Sequence, residues 1–478
     1  MVRAGGGKVD IEESALAYLA ADEGRLVDLA KDIWKHPELG VEEFHASKLI
    51  AHELERAGFS ITMGVGQMPT AFVASWGEGE PIIGILGEYD ALPGLSQRLS
   101  AIREAVEEGA PGHGCGHNLL GVASLGAALA VKRAMEKGKI KGTIRCYGCP
   151  AEETLVGKVF MARAGVFDDL DAAITWHPGY VNSVWASSSN AMNSFKVSFY
   201  GVAAHAGGSP EAGRSALDGV QLMDVGVNYM REHIIQDARV HCVITEGGKA
   251  PNVVPPYAQV WYYVRAPNRE QVGHIYSWML DIAQGAALMT GTTFDIDFLT
   301  GCCDTLPNDV IGDVLLEKLK RVGAPSFTDE EKDLARKLQE TFPPGAIEKS
   351  LKRFGMTRDE VGDPLCERIT EPHGKGEVMG GSTDVGDVSY ITPTAQITTC
   401  CQALGTPGHS WQNVVTSGSS IGAKGMMLAA KAMALAALDL ETKPDVLRAA
   451  RDEFEEKTGG KKYVTPLPEG AVPRPASV

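Results

Sequence analysis

Positive charge is what this chain has least of. Lys and Arg total 45 against 61 Asp and Glu, a net charge of -16 over 478 residues, and no block of basic residues breaks that balance. A nucleic-acid partner wants a basic footprint, so that class is excluded, and an anionic membrane surface goes with it. No apolar run reaches the ~18–20 residues that span a bilayer. The stretch Gly425 to Leu440 comes nearest, but it is short and interrupted by Lys431, and it reads as a buried helix. Met1 to Asp10 lacks the charged-then-apolar pattern of a signal peptide. The nine cysteines are odd in number and scattered, so reduced thiols in a cytoplasm are expected. Cys146 and Cys149 form a C-x-x-C with no second copy to complete a four-thiolate site. They read as thiols of a buried strand, and Cys302-Cys303 and Cys400-Cys401 read the same way. No internal repeat is present. What remains, 44% hydrophobic and 22% charged residues, is the composition of a soluble folded protein of two or three domains.

Helices and strands alternate through the first part. Ser14 to Lys35 is predicted helical, and Glu42 to Ala57 repeats the pattern with Phe44, Leu49, Ile50 and Leu54 inward. Ala71 to Trp76, Ile82 to Gly87, Thr143 to Cys149 and Ala172 to Thr175 read as strands. Leu119 to Met135 reads as a small-residue helix. This alternation predicts an α/β domain with a largely parallel sheet, whose sites form at the carboxyl ends of the strands. The texture changes near Ala191. A β-α-β-β-α-β order then runs from Asn193 to Phe298, the ferredoxin-like α+β pattern. The reading is a discontinuous catalytic domain, 1–190 and 300–478, with a lid or dimerisation domain inserted at 191–299. Ala324 to Gly374 is charged and helix-rich. The tail from Lys443 is expected to wrap the surface or stay partly disordered.

Metal-ligating residue types punctuate this pattern: His113-Gly-Cys115-Gly-His117, Glu152-Glu153, His177 and His409. Imidazole, thiolate and carboxylate form the ligand set of a zinc-type site. Cys115 and His117 are two apart, so an extended segment turns both to one side, and the glycines let the backbone approach an ion closely. His113 is in phase with them as a supporting partner. Glu152-Glu153 follows an apolar strand, where two adjacent carboxylates are costly without a cation. A metal resolves that cost if one Glu ligates and the other takes a proton from water. The combination points to a hydrolase that activates water at a metal.

Gly87-Glu-Tyr-Asp-Ala-Leu-Pro-Gly94, the H-G-C-G-H motif, Pro150-Ala-Glu-Glu153, His177-Pro178, Gly201-Val-Ala-Ala-His-Ala206 and His36-Pro-Glu-Leu-Gly40 resemble the aminoacylase/glutamate-carboxypeptidase family of metallopeptidases. Within it they resemble the amidohydrolase branch that includes auxin-conjugate hydrolases. The resemblance implies a two-metal catalytic domain and a smaller lid domain used for dimerisation. It implies Cys115, His117, Glu153, His177 and His409 as ligands of two divalent ions, zinc or manganese, with Cys115 able to bridge them. It implies Glu152 as general base, and His205 of the partner subunit as oxyanion stabiliser. Asn252 and Arg265 would hold a substrate carboxylate, Arg265 supplying the local cation that an acidic protein needs for an anionic substrate. One departure stands out: Asn118 follows His117 where many relatives place Asp, which could alter the tuning of the metal. The expected reaction is hydrolysis of an amide whose amine side is an amino acid, glutamate first. The assembly is a homodimer through the lid, or a heterodimer with a homologous subunit. The competing expectations are an enzyme for another acyl-amino acid or dipeptide, a subunit inactive without its partner, and a metal-storing protein without catalysis.

Overall fold

A long helix and a shorter one precede the first strands of a sheet. In the computed structural model, which describes residues 10–475, Asp10 caps α1 (Ile11–Lys35) by accepting the amide of Glu13. The extreme start of the chain, read above as leaderless, and the last three residues of the tail lie outside that range. α2 (Phe44–Arg56) follows, then β1 (Ser60–Met63), β2 (Phe72–Glu78) and β3 (Ile82–Glu88). The chain crosses to α3 (His117–Gly138), β4 (Gly142–Cys149), α4 (Gly157–Arg163), β5 (Ala172–Gly179), β6 (Ser183–Val184) and β7 (Ser188–Ser189). The inserted unit comprises β8 (Ala191–Tyr200), α5 (Ala216–Met230), β9 (Arg239–Glu246), β10 (Tyr257–Ala266), α6 (Arg269–Thr290) and β11 (Thr293–Cys302). Next come α7 (Asp309–Val322), α8 (Asp329–Gln339), α9 (Ala346–Phe354), α10 (Arg358–Val361), β12 (Val378–Met379), α11 (Val385–Ser389) and β13 (Thr394–Cys400). Helices α12 (Trp411–Ser417), α13 (Ser420–Thr442) and α14 (Pro444–Thr458) close the fold.

The main sheet has seven strands in the order β1-β2-β4-β3-β5-β13-β6. Its centre is parallel: β3 pairs with β4 and β5, and β5 with β13. The flanking pairs β1/β2, β2/β4 and β6/β13 are antiparallel. The expected parallel core is there, inside a mixed sheet whose edges come from hairpin-like returns. One face is sealed by α1, α3, α7 and α13, whose apolar residues merge with Ile83, Ile85, Ile144, Ile174, Trp176 and Ile397. Helix α13 is long and apolar enough to cross a membrane, yet 83% of its apolar window is buried against these neighbours. It is the core helix that the Gly425 to Leu440 run suggested.

A separate sheet, ordered β11-β8-β10-β9 and antiparallel throughout, carries α5 and α6 on one face around its own core. The alternation read from Gln259 to Arg265 is visible in β10, where every second residue is buried.

One local reading changes. Phe44 does not face inward: it is 44% exposed, with the Lys48 ammonium 5.9 Å from its ring. It is the first residue of the helix and stands outside the buried set Ala46, Ser47, Ile50, Ala51 and Leu54. Of the two expectations for the tail, wrapping the surface is the one seen over its described residues. α14 packs on α7 and α13, and the chain beyond it lies along both sheets. There the Tyr463 hydroxyl donates to Asp387 Oδ1 at 2.8 Å, Leu467 is buried, and Arg474 reaches Asp297 of β11 at 2.5 Å. One aromatic, one aliphatic and one charged side chain dock it.

Glu441, in the last turn of α13, is buried with neither carboxylate oxygen hydrogen-bonded. It lies over Gly142, where a Cβ would sit 2.0 Å from Oε2. Burial, then the nearby charge of Asp171, pushes its carboxyl up to about 9. A folded-state value above the unfolded one means that folding takes up a proton, so this group's contribution is lost as pH rises from about 4.5 towards 9. Glu441→Gln is therefore expected to melt higher than the parent at pH 8–9 and to match it near pH 4. Melting curves across that range with an unchanging difference would refute the assignment.

Candidate metal centre

The parallel strands β3, β4 and β5 end side by side, and the segments that leave them converge. β3 delivers Glu88 and Asp90, β4 delivers Glu152-Glu153, and His177 lies on β5 itself. The long return after β3 brings Cys115 in front of His177. Gly116 between Cys115 and His117 has φ +79°, and a Cβ there would press on the Pro178 ring at 3.1 Å. His117 is then the first residue of α3. Non-glycine residues with positive φ flank the other donors: Ala151 (53°) beside the Glu pair, and His409 itself (51°). Such conformations persist where their surroundings hold them, and they cluster at functional sites. Ala151 is held by its amide, which donates to buried Glu43 at 2.8 Å.

The donor atoms fall into two groups that share Cys115. Cys115, His117 and His177 can place their ligand atoms within 4.8 Å of one another, and so can Cys115, Glu153 and His409. Cys115 Sγ is 3.3 Å from His177 Nε2, and His409 Nε2 is 3.2 Å from Glu153 Oε2. The tautomers follow from the bonds. His177 Nδ1 donates to the Pro178 carbonyl at 2.8 Å, and His117 Nδ1 bonds the Asp90 carboxylate at 2.7 Å. Each therefore turns Nε2 into the pocket. Asp90 also accepts the Glu153 amide at 2.9 Å, so one carboxylate orients two candidate ligands. Glu152 Oε2 lies 4.0 Å from His117 Nε2.

These residues suit divalent ions. His117 Nε2, Glu153 Oε1 and Glu88 Oε2 are buried polar atoms without a hydrogen-bond partner. Burial, then the charges of Glu88 and Asp384, pushes Glu152 well above the carboxylate range. Burial raises Glu153 to about 7, against the pull of His117. Burial also raises Glu43 to about 8, with Asp90 adding to it, and burial and Glu153 push the Cys115 thiol up. His117 is driven above its usual range: burial opposes its charge, but Cys115 and Asp90 outweigh burial. His177 is lowered to about 4 by burial and His117, which leaves a neutral imidazole ready to ligate. Acids that resist ionising and a neutral imidazole, aimed at one space, are what a cation would relieve.

The lid residues are not brought to this point. His205 and Asn252 are exposed on two loops bridged to each other, at the end of the inserted sheet where Tyr200 pairs with Tyr257. Arg265 is at the opposite end of β10, opposite Met192, and bonds Ser382 of the catalytic domain at 2.6 Å. Most of the length of β10 separates the two ends, roughly 27 Å at the usual rise of a strand. One chain thus holds Arg265 against its own Ser382 and His205 at the far end of the inserted sheet.

The supporting residues read differently from expectation. Asn118 donates to the carbonyls of Ala30 and Ser417, stapling α1 to α12 and touching none of the candidate ligands. His113 is buried against the Ile33 carbonyl, and burial and His117 lower it to about 3. Sequence reasoning missed Lys158. This fully buried lysine of α4 binds Glu88 at 2.6 Å and Asp384 at 2.5 Å. A lone lysine in the otherwise apolar run Leu155-Val-Gly-Lys-Val-Phe-Met161 was the available signal. Cys146, Cys149, Cys302, Cys303, Cys400 and Cys401 are all buried and unpaired, as their strand contexts suggested.

Comparison with known proteins agrees with this geometry. Residues 189–287 match the peptidase dimerisation domain of M20 peptidases. One subunit of the p-aminobenzoyl-glutamate hydrolase of Escherichia coli K12 is 44% identical over 468 residues, 96% of this chain and 97% of that one. The human Xaa-Arg dipeptidase is 29% identical over 461 residues, 92% and 91% of the two chains. Among solved structures, an aminobenzoyl-glutamate utilization protein of Klebsiella pneumoniae superposes with a TM-score of 0.61 at 19% identity, over 91% of this chain and all of that one. A dinuclear metal-binding M20 peptidase of Bacillus subtilis gives 0.56 at 19% identity, over 88% and 99%.

Proposed function

The chain belongs to the M20 metallopeptidases, the aminoacylase/glutamate-carboxypeptidase family of hydrolases acting on amide bonds, and from that premise we propose that it cleaves p-aminobenzoyl-glutamate to p-aminobenzoate and glutamate. The observation that carries this reading is the full-length relationship to the Escherichia coli hydrolase, joined to a pocket in which all five expected donors and Glu152 meet. Cys115, His117 and His177 would hold one divalent ion, and Cys115, Glu153 and His409 the other. Zinc or manganese suits this mixed set. Bound there, the ions would polarise the scissile carbonyl and acidify water.

The chain's own residues do the rest. Glu152 faces the same space as the ligands without sharing their hydrogen bonds, so it takes a proton from the attacking water and returns it to the leaving nitrogen. Arg265, bonded to Ser382 of the catalytic domain, pairs with a substrate carboxylate against the acidic field of the protein. His205 and Asn252, remote in their own chain, complete the site of a neighbouring protomer, His205 by donating to the developing oxyanion. Edge strand β9 supports that assembly. It exposes Val243 (54%) and Ile244 (48%), and α5 beside it exposes Tyr229 (66%). A second copy pairing there gives a homodimer, and a homologous chain gives the heterodimer. Nine free cysteines fit a reducing cytoplasm. A second reading, dipeptide hydrolysis, draws on the relationship to the human dipeptidase.

Purified protein is expected to release glutamate from p-aminobenzoyl-glutamate, to lose that activity to a chelator and to regain it with zinc or manganese. Glu152→Gln should keep its metal and lose on the order of 10²–10⁴-fold in kcat. Faster turnover of Xaa-Arg dipeptides than of p-aminobenzoyl-glutamate would transfer the assignment to the second reading. A Tyr229→Asp/Val243→Asp variant should elute as a monomer and lose turnover with its metal content intact. A fully active monomer would remove a neighbouring protomer's His205 from the site.

A further inference from the structure

The five-donor set leaves one group in the pocket unexplained. Glu88 closes β3 and is 2% exposed. Its Oε1 accepts from Lys158 Nζ at 2.6 Å, while its Oε2 has no hydrogen-bond partner. That free oxygen is 3.3 Å from His117 Nε2, which also lacks a partner. Lys158 is itself fixed twice by Asp384, whose Oδ1 takes the ammonium at 2.5 Å and whose Oδ2 takes the Lys158 backbone amide at 2.8 Å. Glu88 is thereby pinned through one oxygen and aimed with the other. With Nδ1 of His117 bonded to Asp90, Nε2 is the ring atom turned to Glu88. Two buried polar atoms then face each other without a hydrogen bond, an arrangement that a cation between them would relieve.

The separation itself is informative. Two N or O donors on one tetrahedral ion, each at ~2.0–2.1 Å, stand about 3.3 Å apart. Glu152 joins them, and the ligand atoms of Glu88, His117 and Glu152 lie within 4.8 Å of one another.

Resting on the metal-centre reading above, we infer that Glu88 is a further oxygen donor to the ion held through His117, and that Lys158 is the positioning residue that aims it. By occupying Oε1, Lys158 restricts Glu88 to a single donor atom and keeps it from closing on Glu152. A carboxylate on the His117 side also shifts the donor set from soft towards borderline, suiting zinc, cobalt or manganese better than copper(I).

The test is cobalt(II) titration of the metal-stripped full-length chain, followed by absorption spectroscopy and equilibrium dialysis, for the parent and Glu88→Gln. One of the two ions is expected to bind on the order of 10–100-fold more weakly in the variant, with altered d–d bands. The thiolate-to-cobalt charge-transfer absorption of Cys115 and the affinity of the other ion should be unchanged, which also certifies that the pocket is folded. Two ions bound with parental affinities and an unaltered d–d spectrum would overturn the assignment. So would loss of both ions together with the charge-transfer band, which signals collapse of the pocket rather than removal of one donor. A parent chain that takes up no cobalt would overturn the metal-centre reading itself, separately from the role of Glu88.

Discussion

Charge balance in a dry pocket is the constraint on which the rest of this structure depends. Glu43, Glu88, Asp90, Glu152, Glu153 and Asp384 are gathered at the ends of β3 and β4, nearly all out of contact with water. Lys158 is the buried ammonium among them. Carboxylates of one sign at such density cannot all ionise in a medium of low dielectric without cations. The fold answers by tying each acid to a donor where it can: Glu43 to Thr70 and Ala151, Asp90 to His117 and Glu153, Asp384 to Lys158. The oxygens and nitrogens left over are the ones that face a common space. Ligand geometry here follows from electrostatics as much as from backbone placement.

Much of this was legible in the sequence because the relevant signals are local. Cys115 and His117 are separated by a glycine that only a tight turn needs. Glu152-Glu153 stands after an apolar strand, where adjacent carboxylates are hard to explain otherwise. The same locality made β3, β4 and β5 readable as continuous apolar runs, and β10 as strict alternation. The supporting partners were not legible. Lys158 and Asp384 are 226 residues apart, and Glu43 meets Ala151 across 108. Periodicity cannot join positions so distant. Phe44 shows the converse limit: an apolar residue at plausible spacing, the first of its helix, stays outside. The two fates left open for the tail could not be told apart because composition counts its prolines and charges equally, whereas docking uses Tyr463, Leu467 and Arg474.

The inserted domain divides its labour between its two ends. Near the catalytic sheet, β10 presents Arg265 to the Ser382 segment, and the tail ties β11 down through Arg474. At the far end the loops carrying His205 and Asn252 stand free of their own site. A rigid antiparallel sheet is suited to this, since it fixes the span between the ends while leaving β9 unpaired as an edge. The same strands hold a guanidinium against the catalytic domain at one end and an exposed imidazole at the other.

The place of β13 in the central sheet has a consequence for how the protein is made. This strand, residues 394–400, completes β5 on the side away from β3, and His409 follows it by a short loop. As the ribosome proceeds, Cys115, His117, Glu153 and His177 emerge first, then the whole inserted domain, and the closing strand only after some four-fifths of the chain. Until then β5 is an open edge of apolar backbone, the kind that pairs promiscuously. The insertion, with its own core, can complete itself during that interval. The metal pocket is thus among the last features to mature, assembled when the two halves of the split domain meet around an already folded middle.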